Sequence, residues 1–402
     1  MIITWIIPDT YGFLVDELEE LATRNVTIRV LTGKPIPEQV IERLPTVSFY
    51  YCKNQSLVLA SLYNRLFDPL WQFYKWKLPL YRYHTEPIAG VYKILEKLEA
   101  EQPSDIIHSH FAYPGGIGGT LLKQVPQILT LRGYDILTTG NYGSLWNFFF
   151  RQNLINSYAK QGVITGGSQF TVNRTRQILG ADANIKWVKQ GLAATTFEVA
   201  KVHTKASLNI KIEDTVLLAV GNLVEVKNYK LLLQVIAKFP ESIKSHLKLV
   251  ICGDGPLRQA LENQSQALGI SENVMFMGRL NRSELTDVFE LADIFVHSSM
   301  SEGFGNVILE AMLFKLLVVA SPVGVAADII QHQKNGFLPD LGDKDSWLKS
   351  LMRAISQKDK FKEVLKTNRD LVLNEFGMDK RIDAFLNLYN EVIVNHKDIH
   401  LE

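Results

Sequence analysis

At 402 residues the chain exceeds what one hydrophobic core ordinarily holds, so two domains of about 200 residues are expected. Hydrophobic residues make up 47% and charged residues 21%, the balance of a globular chain rather than a disordered or fibrous one. A formal net charge of +1 excludes the strongly basic surface of a general nucleic-acid binder; the two cysteines, Cys52 and Cys252, exclude a disulfide framework and favour a reducing compartment.

The first half alternates strand and helix periods. IITWII (2–7) is a β-rich run, read as a first strand rather than a signal peptide because no basic segment precedes it. LVDELEELAT (14–23) has helical spacing, VTIRVLT (26–32) is the next strand, and SDIIHSH (104–110), QILTLRG (127–133) and GVITGGS (162–168) follow with helical patterns between them. Short apolar strands alternating with helices predict a parallel sheet covered on both faces. The pattern lapses over QGLAATTFEVAKVHTKASL (190–208), then restarts. TVLLAVGN (215–222), LKLVICGDG (247–255), NVMFMG (273–278), ADIFVHSS (292–299) and LLVVASP (316–322) are five further strand candidates, each followed by a helical stretch. The fold class predicted is α/β, with two Rossmann-like doubly wound domains, 1–195 and 206–379, facing a cleft. The amphipathic helix KRIDAFLNLYNEVIVN, within 380–402, has a face to pack on either domain, and packing back on the N-terminal one is expected. No run approaches the roughly 20 apolar residues of a membrane span.

Ligands of such folds bind at the C-terminal ends of the strands. In the second domain three of those ends carry glycines: Gly221 before Asn222, with Lys227 five residues on; Gly253 and Gly255; and Gly303 and Gly305 before a helix. Glycine lets a backbone approach a ligand, and free N–H groups at a helix start favour an anion. One such turn is most often plain punctuation; three on one sheet edge beside a lysine point to an anionic ligand. No dinucleotide fingerprint is present, because in GGIGGT (115–120) the third glycine position falls on Leu121.

SEGFGNVILEAM (301–312) places Glu302 before a helix and Glu310 in its second turn. Eight helical residues span about 12 Å, too far for two carboxylates to share a proton. The spacing suits two separate hydroxyl contacts on one elongated ligand. In HSHF (108–111), His108 and His110 are read as diverging to opposite faces of a strand, which leaves no joint metal site; His110, nearer the strand end, is the candidate for chemistry. DKD (343–345), an Asp-x-Asp pattern, precedes SWLKSLMRAI and reads as a helix cap or a solvated loop rather than a metal motif. Residues 63–83, YNRLFDPLWQFYKWKLPLYRY, mix aromatic and basic side chains as a peripheral membrane contact would; a lid or a dimer contact is the alternative.

The ordered motifs VGNLVEVKNYKLLLQVI, ICGDGPLRQALE, VMFMGRLNRSELTDVFELADIFVHSSMSEGFGNVILEAM and VVASPVGVAADIIQHQKNGFL, across 215–340, resemble the donor-binding domain of family-4 retaining glycosyltransferases of the GT-B fold, the glycosyl transferases group 1. PDTYGFLVDEL, IIHSHFAYPGG and LTLRGYDI resemble the acceptor domain of that family more loosely. The resemblance implies retaining transfer of a sugar from a UDP- or GDP-type nucleotide-diphosphate sugar to an acceptor hydroxyl. No metal or other cofactor is required in that expectation. The acceptor would be a glycan or a lipid-linked molecule in polysaccharide or glycolipid biosynthesis, at the cytoplasmic face of a membrane, with no nucleic-acid partner. By the same resemblance Glu302 contacts the donor sugar near the reacting carbon and Glu310 takes the ribose. Amides of Gly303, Phe304, Gly305, Asn306 and Val307 face the sugar and phosphates. Lys227 grips the diphosphate, with Asn222, Gly253 and Gly255 in the adjoining turns; Gly278 and Arg279 wall the base; Gly12 and Asp135 serve the acceptor. A sugar-nucleotide epimerase or a phosphorylase on the same fold, or a non-catalytic sugar-nucleotide-binding subunit, are the alternatives.

The chain departs from the family pattern in three places. Arg is usual where Asn222 stands, His is frequent where Arg132 stands, and Gly-Gly-x-Pro-Glu is usual at VGVAAD. Arg132 stays protonated, so it is no general base. With His110 it joins Glu302 in the expected catalytic group, holding a phosphate or a developing negative charge in place of the arginine missing at 222. The alternative is a structural arginine paired with Asp135.

Overall fold

The computed structural model describes residues 1–9, 11–52, 91, 93–111, 124–133, 162–194, 197 and 201–399. Asp135 and the aromatic-basic segment 63–83 lie outside the described residues. The chain divides into two compact units: Met1–Gly167 with Thr171–Lys189 and Met378–Glu402, and Gln190–Gly377 with Ser168–Phe170.

The first unit holds strands β1 (Ile2–Ile7), β2 (Thr27–Thr32), β3 (Val47–Tyr51), β4 (Ile106–His110), β5 (Gln127–Leu131), β6 (Val163–Gly166) and β7 (Ile185–Trp187). They form one sheet in the order β3-β2-β1-β4-β5-β6-β7, every pair parallel. The five inner strands are buried along almost their whole length, polar residues included, because side chains alternate faces and both faces are covered. Ile3, Trp5 and Ile7 of β1 enter one core, which Leu14, Val15, Leu18 and Leu21 of helix α1 (Gly12–Ala22) share with Ile382, Phe385, Leu388 and Tyr389 of the C-terminal helix (Met378–Ile399). Ile6, Leu31 and Ile107 enter the core on the other face with Leu95 and Leu98. Two strands absent from the sequence reading, β3 and β7, are the sheet edges. Each has one partner; β3 buries only Val47 fully, and β7 leaves Lys186 and Trp187 exposed, so neither carries a continuous apolar run.

The second unit holds β8 (Thr215–Val220), β9 (Leu247–Cys252), β10 (Val274–Gly278), β11 (Ile294–His297) and β12 (Leu317–Ala320). All are parallel, in the order β10-β9-β8-β11-β12. The order reverses between β8 and β11, and a doubly wound sheet opens its ligand crevice at the strand ends flanking that reversal. Helices Tyr229–Ala237 and Lys344–Gln357 cover one face through Leu232, Ile236, Trp347 and Leu351. Helix Asn306–Leu313 covers the other with Ile308, Leu309 and Met312. Asp343 caps Lys344–Gln357: its carboxylate accepts from the amides of Asp345 and Ser346 at 2.8 and 3.1 Å, so DKD is a helix cap as read. Among the described residues no helix is long and apolar enough to cross a membrane.

Candidate active site

In the second unit, the loop after β11 is laced to the 3-10 turn Glu225–Lys227 that follows β8. Ser298 Oγ donates to the carbonyls of Lys227 and Asn228 at 2.8 and 3.2 Å, and the Met300 amide donates to Val226 O at 2.7 Å. This brings Lys227 Nζ onto Glu302 Oε1. The same oxygen receives His297 Nε2 at 2.9 Å and Ser299 Oγ at 2.7 Å. Three donors thus converge on Oε1, while Oε2 has no hydrogen-bond partner among the described residues. Burial, the largest single influence, pushes the Glu302 carboxyl up, yet His297 and then Lys227 outweigh it and hold the group far below its ordinary value of 4.5. Glu302 is a carboxylate with one oxygen committed and one open.

The Gly-Phe-Gly turn that follows is braced from behind. Gly324, the glycine of VGVAAD, has φ +56, and a Cβ there would lie 2.2 Å from Phe304 O. The next amide, Val325, donates to that carbonyl at 2.7 Å. Gly305 precedes helix Asn306–Leu313, whose first amides have no intrahelical acceptor. Asn306, Val307 and Glu310 are half-buried. At Gly253 and Gly255, expected to admit a ligand's close approach, the fold itself also demands glycine. A Cβ at Gly253 would lie 2.0 Å from Gly221 O, and one at Gly255 2.6 Å from Leu223 O. Glycine is required there because two strand-end loops lie against each other. Asn222 and Arg279 are exposed at their strand ends, and Gly278 ends β10 at a register shift.

In the first unit, Gly12 opens α1 with open space around its Cβ position, so no local crowding demands glycine there. His108 and His110 do not diverge. Residues two apart on a strand share a face, and their rings stack with centroids 4.1 Å apart. His108 is a saturated core histidine: Nδ1 lies 2.6 Å from Tyr389 Oη and Nε2 2.7 Å from Thr130 Oγ1, while Trp5 Nε1 donates to Tyr389 Oη at 3.1 Å. His110 differs. Arg132 donates to its Nδ1 at 2.8 Å, and arginine has no acceptor, so a neutral ring carries its proton on Nε2. Among the described residues that Nε2 is buried without a partner. Burial foremost lowers both histidines well below their ordinary 6.5, helped at His110 by His108 and Arg132. A neutral His110 with its proton on Nε2 is a donor, not a base.

Arg132 grips Glu17 of α1 with both terminal nitrogens, at 3.0 and 2.8 Å. Arg381, from the C-terminal helix, donates to the same Glu17 at 2.8 Å and to the carbonyls of Val188 and Lys189 at 3.1 and 2.8 Å. Among the described residues the carboxylate of Arg132 is therefore Glu17, a pairing absent from the sequence reading. Exposures are 0% for Glu17, 7% for Arg132 and 1% for Arg381. Among the described residues one carboxylate lies between two guanidiniums. Glu17 was legible in principle, as an acid on the buried face of α1 between Leu14 and Leu18. Arg381 stands four residues before the buried Phe385, and His297 stands at a strand end; both signals were passed over.

Comparison with known proteins bears on these clusters. Residues 201–370 match the family model for glycosyl transferases group 1. N-acetyl-alpha-D-glucosaminyl L-malate synthase of Bacillus anthracis is 25% identical over 326 residues, 79% of this chain and 83% of its own. D-inositol 3-phosphate glycosyltransferase of Corynebacterium jeikeium is 27% identical over 363 residues, 85% of this chain and 82% of its own. Among solved structures, Anabaena HepE in complex with UDP superposes with a TM-score of 0.76 at 18% identity, covering 97% of this chain and 100% of its own. Sucrose-phosphate synthase of Thermosynechococcus elongatus gives 0.78 at 17% identity, covering 98% and 100%.

Two outcomes follow for the first unit. Glu17→Gln leaves two buried cations facing each other, whereas Arg381→Met leaves the Arg132–Glu17 pair intact. Urea unfolding, followed by tryptophan fluorescence in a variant that keeps Trp5 alone of the six tryptophans, should show Glu17→Gln losing more than Arg381→Met and reaching at least the about 3–5 kcal/mol of a broken buried pair; equal losses would deny Glu17 the role of shared counter-ion. His108 and His110 stay neutral when folded and take up protons on unfolding below pH 6.5. Stability therefore falls on acidification through that range, by up to about 1.4 kcal/mol per pH unit for each histidine. Replacing His110 with Asn should make the slope shallower, and an unchanged slope would contradict its burial in the neutral form.

Proposed function

Matched by that family over residues 201–370, the chain belongs to the glycosyl transferases group 1 and has the GT-B fold; from that premise we propose that it transfers a sugar from a nucleotide-diphosphate sugar to an acceptor hydroxyl with retention of anomeric configuration, without a metal ion. The observation that carries this reading is the Lys227–Glu302–His297 cluster at the β8–β11 reversal, with Glu302 Oε2 open and a helix N-terminus beside it. Each part answers a need of the chemistry. Lys227 and the first amides of helix Asn306–Leu313 stabilise a departing diphosphate. Glu302, held as a carboxylate, accepts hydrogen bonds from the sugar's hydroxyls and orients it. Glu310, a turn and a half along the same helix, takes the ribose. With His110 a neutral donor and Arg132 a permanent cation, the leaving phosphate oxygen itself takes the acceptor's proton, and no separate protein base is needed.

We take the donor to be of UDP or GDP type. The UDP and glucose held by the Anabaena structure support the former. A glycan or lipid-linked acceptor at the cytoplasmic face of a membrane is supported by the aromatic-basic composition of residues 63–83.

The test is incubation with UDP- and GDP-sugars and a panel of glycan and lipid-linked acceptors, reading nucleotide release and the product's anomeric configuration by NMR, with and without EDTA. Retained configuration and EDTA-insensitive turnover are expected; inversion, or turnover lost to EDTA and restored by a divalent ion, would refute the corresponding part. Within the same assay the two acids divide the work. Glu310→Ala should weaken nucleotide binding by about tenfold or more, the worth of a charge-assisted hydrogen bond, with the larger effect in Kd than in kcat. Glu302→Ala should lower kcat by about a hundredfold while the nucleotide Kd moves by no more than about threefold. Equal effects on both quantities in both variants would remove the division.

A further inference from the structure

Lys227 answers two demands. In the ligand-free protein its ammonium rests on Glu302 Oε1, and in the function proposed above, on which this inference rests, it is needed at a diphosphate. A lysine that swings to phosphate takes away one of the three donors on that oxygen. The carboxylate it leaves is only 13% exposed, and burial by itself works against the charged form. Unless something else holds Glu302, it would turn or take up a proton at the moment the sugar must be oriented.

Two donors on Oε1 do not depend on Lys227. His297 Nε2 lies 2.9 Å away and Ser299 Oγ 2.7 Å away. Both come from β11 and the loop after it: His297 is the last residue of the strand, and Ser299 lies two residues further. His297 is fixed by the sheet rather than by a loop. It is 4% exposed, its backbone pairs in register with Ala320 of β12, and its ring stacks on Phe295 with planes 15° apart. To donate to a carboxylate, Nε2 must carry the ring proton. Both contacts fall on Oε1, so the hold leaves Oε2 open.

We propose that His297, seconded by Ser299, is the positioning group that keeps the Glu302 carboxylate aimed at the donor sugar while Lys227 serves the diphosphate. His297 touches neither sugar nor phosphate; it acts through Glu302. Its removal should therefore cost turnover and spare nucleotide affinity, a split that a merely structural histidine would not produce.

His297→Phe keeps a ring against Phe295 and removes the donor; His297→Gln restores an N–H of similar reach. The two variants, Ser299→Ala and wild type are compared in kcat for sugar transfer and in Kd for the free nucleoside diphosphate, with thermal melting to confirm folding. His297→Phe should lower kcat by at least about tenfold, the worth of one hydrogen bond to a charged group, with Kd within about twofold of wild type. His297→Gln should recover most of the loss, and Ser299→Ala should show the same split at smaller size. An undiminished kcat in His297→Phe overturns the proposal, as does an equal fall in His297→Gln or a Kd that weakens in step with kcat. Should His297→Phe not fold, the split in Ser299→Ala decides: kcat lowered at unchanged Kd supports the proposal, and unchanged kcat overturns it. Absence of transfer by wild type would overturn the proposed function and this inference with it, whereas transfer that survives in every variant overturns the inference alone.

Discussion

In each unit a glutamate largely withdrawn from water is held by at least one cation brought from a distant stretch of chain. Withdrawing a carboxylate from water costs several kcal/mol even after relaxation, and only close, well-directed donors offset that cost. Glu17 obtains them from Arg132 and from Arg381, the latter 364 positions along the sequence. Glu302 obtains them from Lys227, 75 positions back, and from His297 and Ser299 nearby. A parallel sheet is what makes such meetings possible. Its strands all end on one edge, so Lys227 and Glu302, which follow β8 and β11, come together there; in the first unit Arg132 follows β5, while Glu17 and Arg381 reach it from helices packed on the sheet.

The two glutamates are satisfied differently, and the difference separates structure from chemistry. Glu17 has both oxygens engaged: Oε1 receives Arg132 and Arg381, and Oε2 receives Arg132. It has nothing to offer a ligand and acts as the counter-ion that lets two arginines lie buried. Glu302 has three donors crowded on one oxygen and none on the other among the described residues. A carboxylate that needed only to be neutralised would spread its partners over both oxygens. Loading one and clearing the other leaves an acceptor open, as the proposed contact with a sugar hydroxyl requires.

Local patterns carried the fold further than the site. The five strands of the second unit were legible because each is a short apolar run, buried almost throughout in β8, β9, β11 and β12 and half-buried in the edge strand β10, and the motifs of the resemblance lie on their ends. The edge strands β3 and β7 were not, because an edge has one partner and no continuous apolar run to announce it. Asp343 was legible as a cap because capping is settled within three residues. Glu17, Arg381 and His297 were missed for the opposite reason. Their meaning lies in pairings across the fold, and composition or periodicity marks them only as oddities on otherwise apolar faces. The histidines of β4 failed through a period error: residues two apart on a strand share a face, and their stacking follows from that alone. At Gly253 the residue type was informative but its cause was not, since a neighbouring loop excludes a Cβ as firmly as a ligand would.

The departure at position 222 now acquires a physical consequence. A second cation beside Lys227 would leave one of the two unpaired in the absence of a ligand. With Asn222 exposed and uncharged, Lys227 and Glu302 pair one to one, and both are only partly exposed. That balance favours the ligand-free fold and makes an arriving anion compete with Glu302 for the lysine. The energy of that exchange is small only if Glu302 keeps other donors, which His297 and Ser299 supply from a strand end that does not have to move. In the proposed function a weaker cationic grip on the ligand and a hold on Glu302 by His297 and Ser299 are thus two halves of one arrangement, in which the lysine can leave because the glutamate keeps other donors.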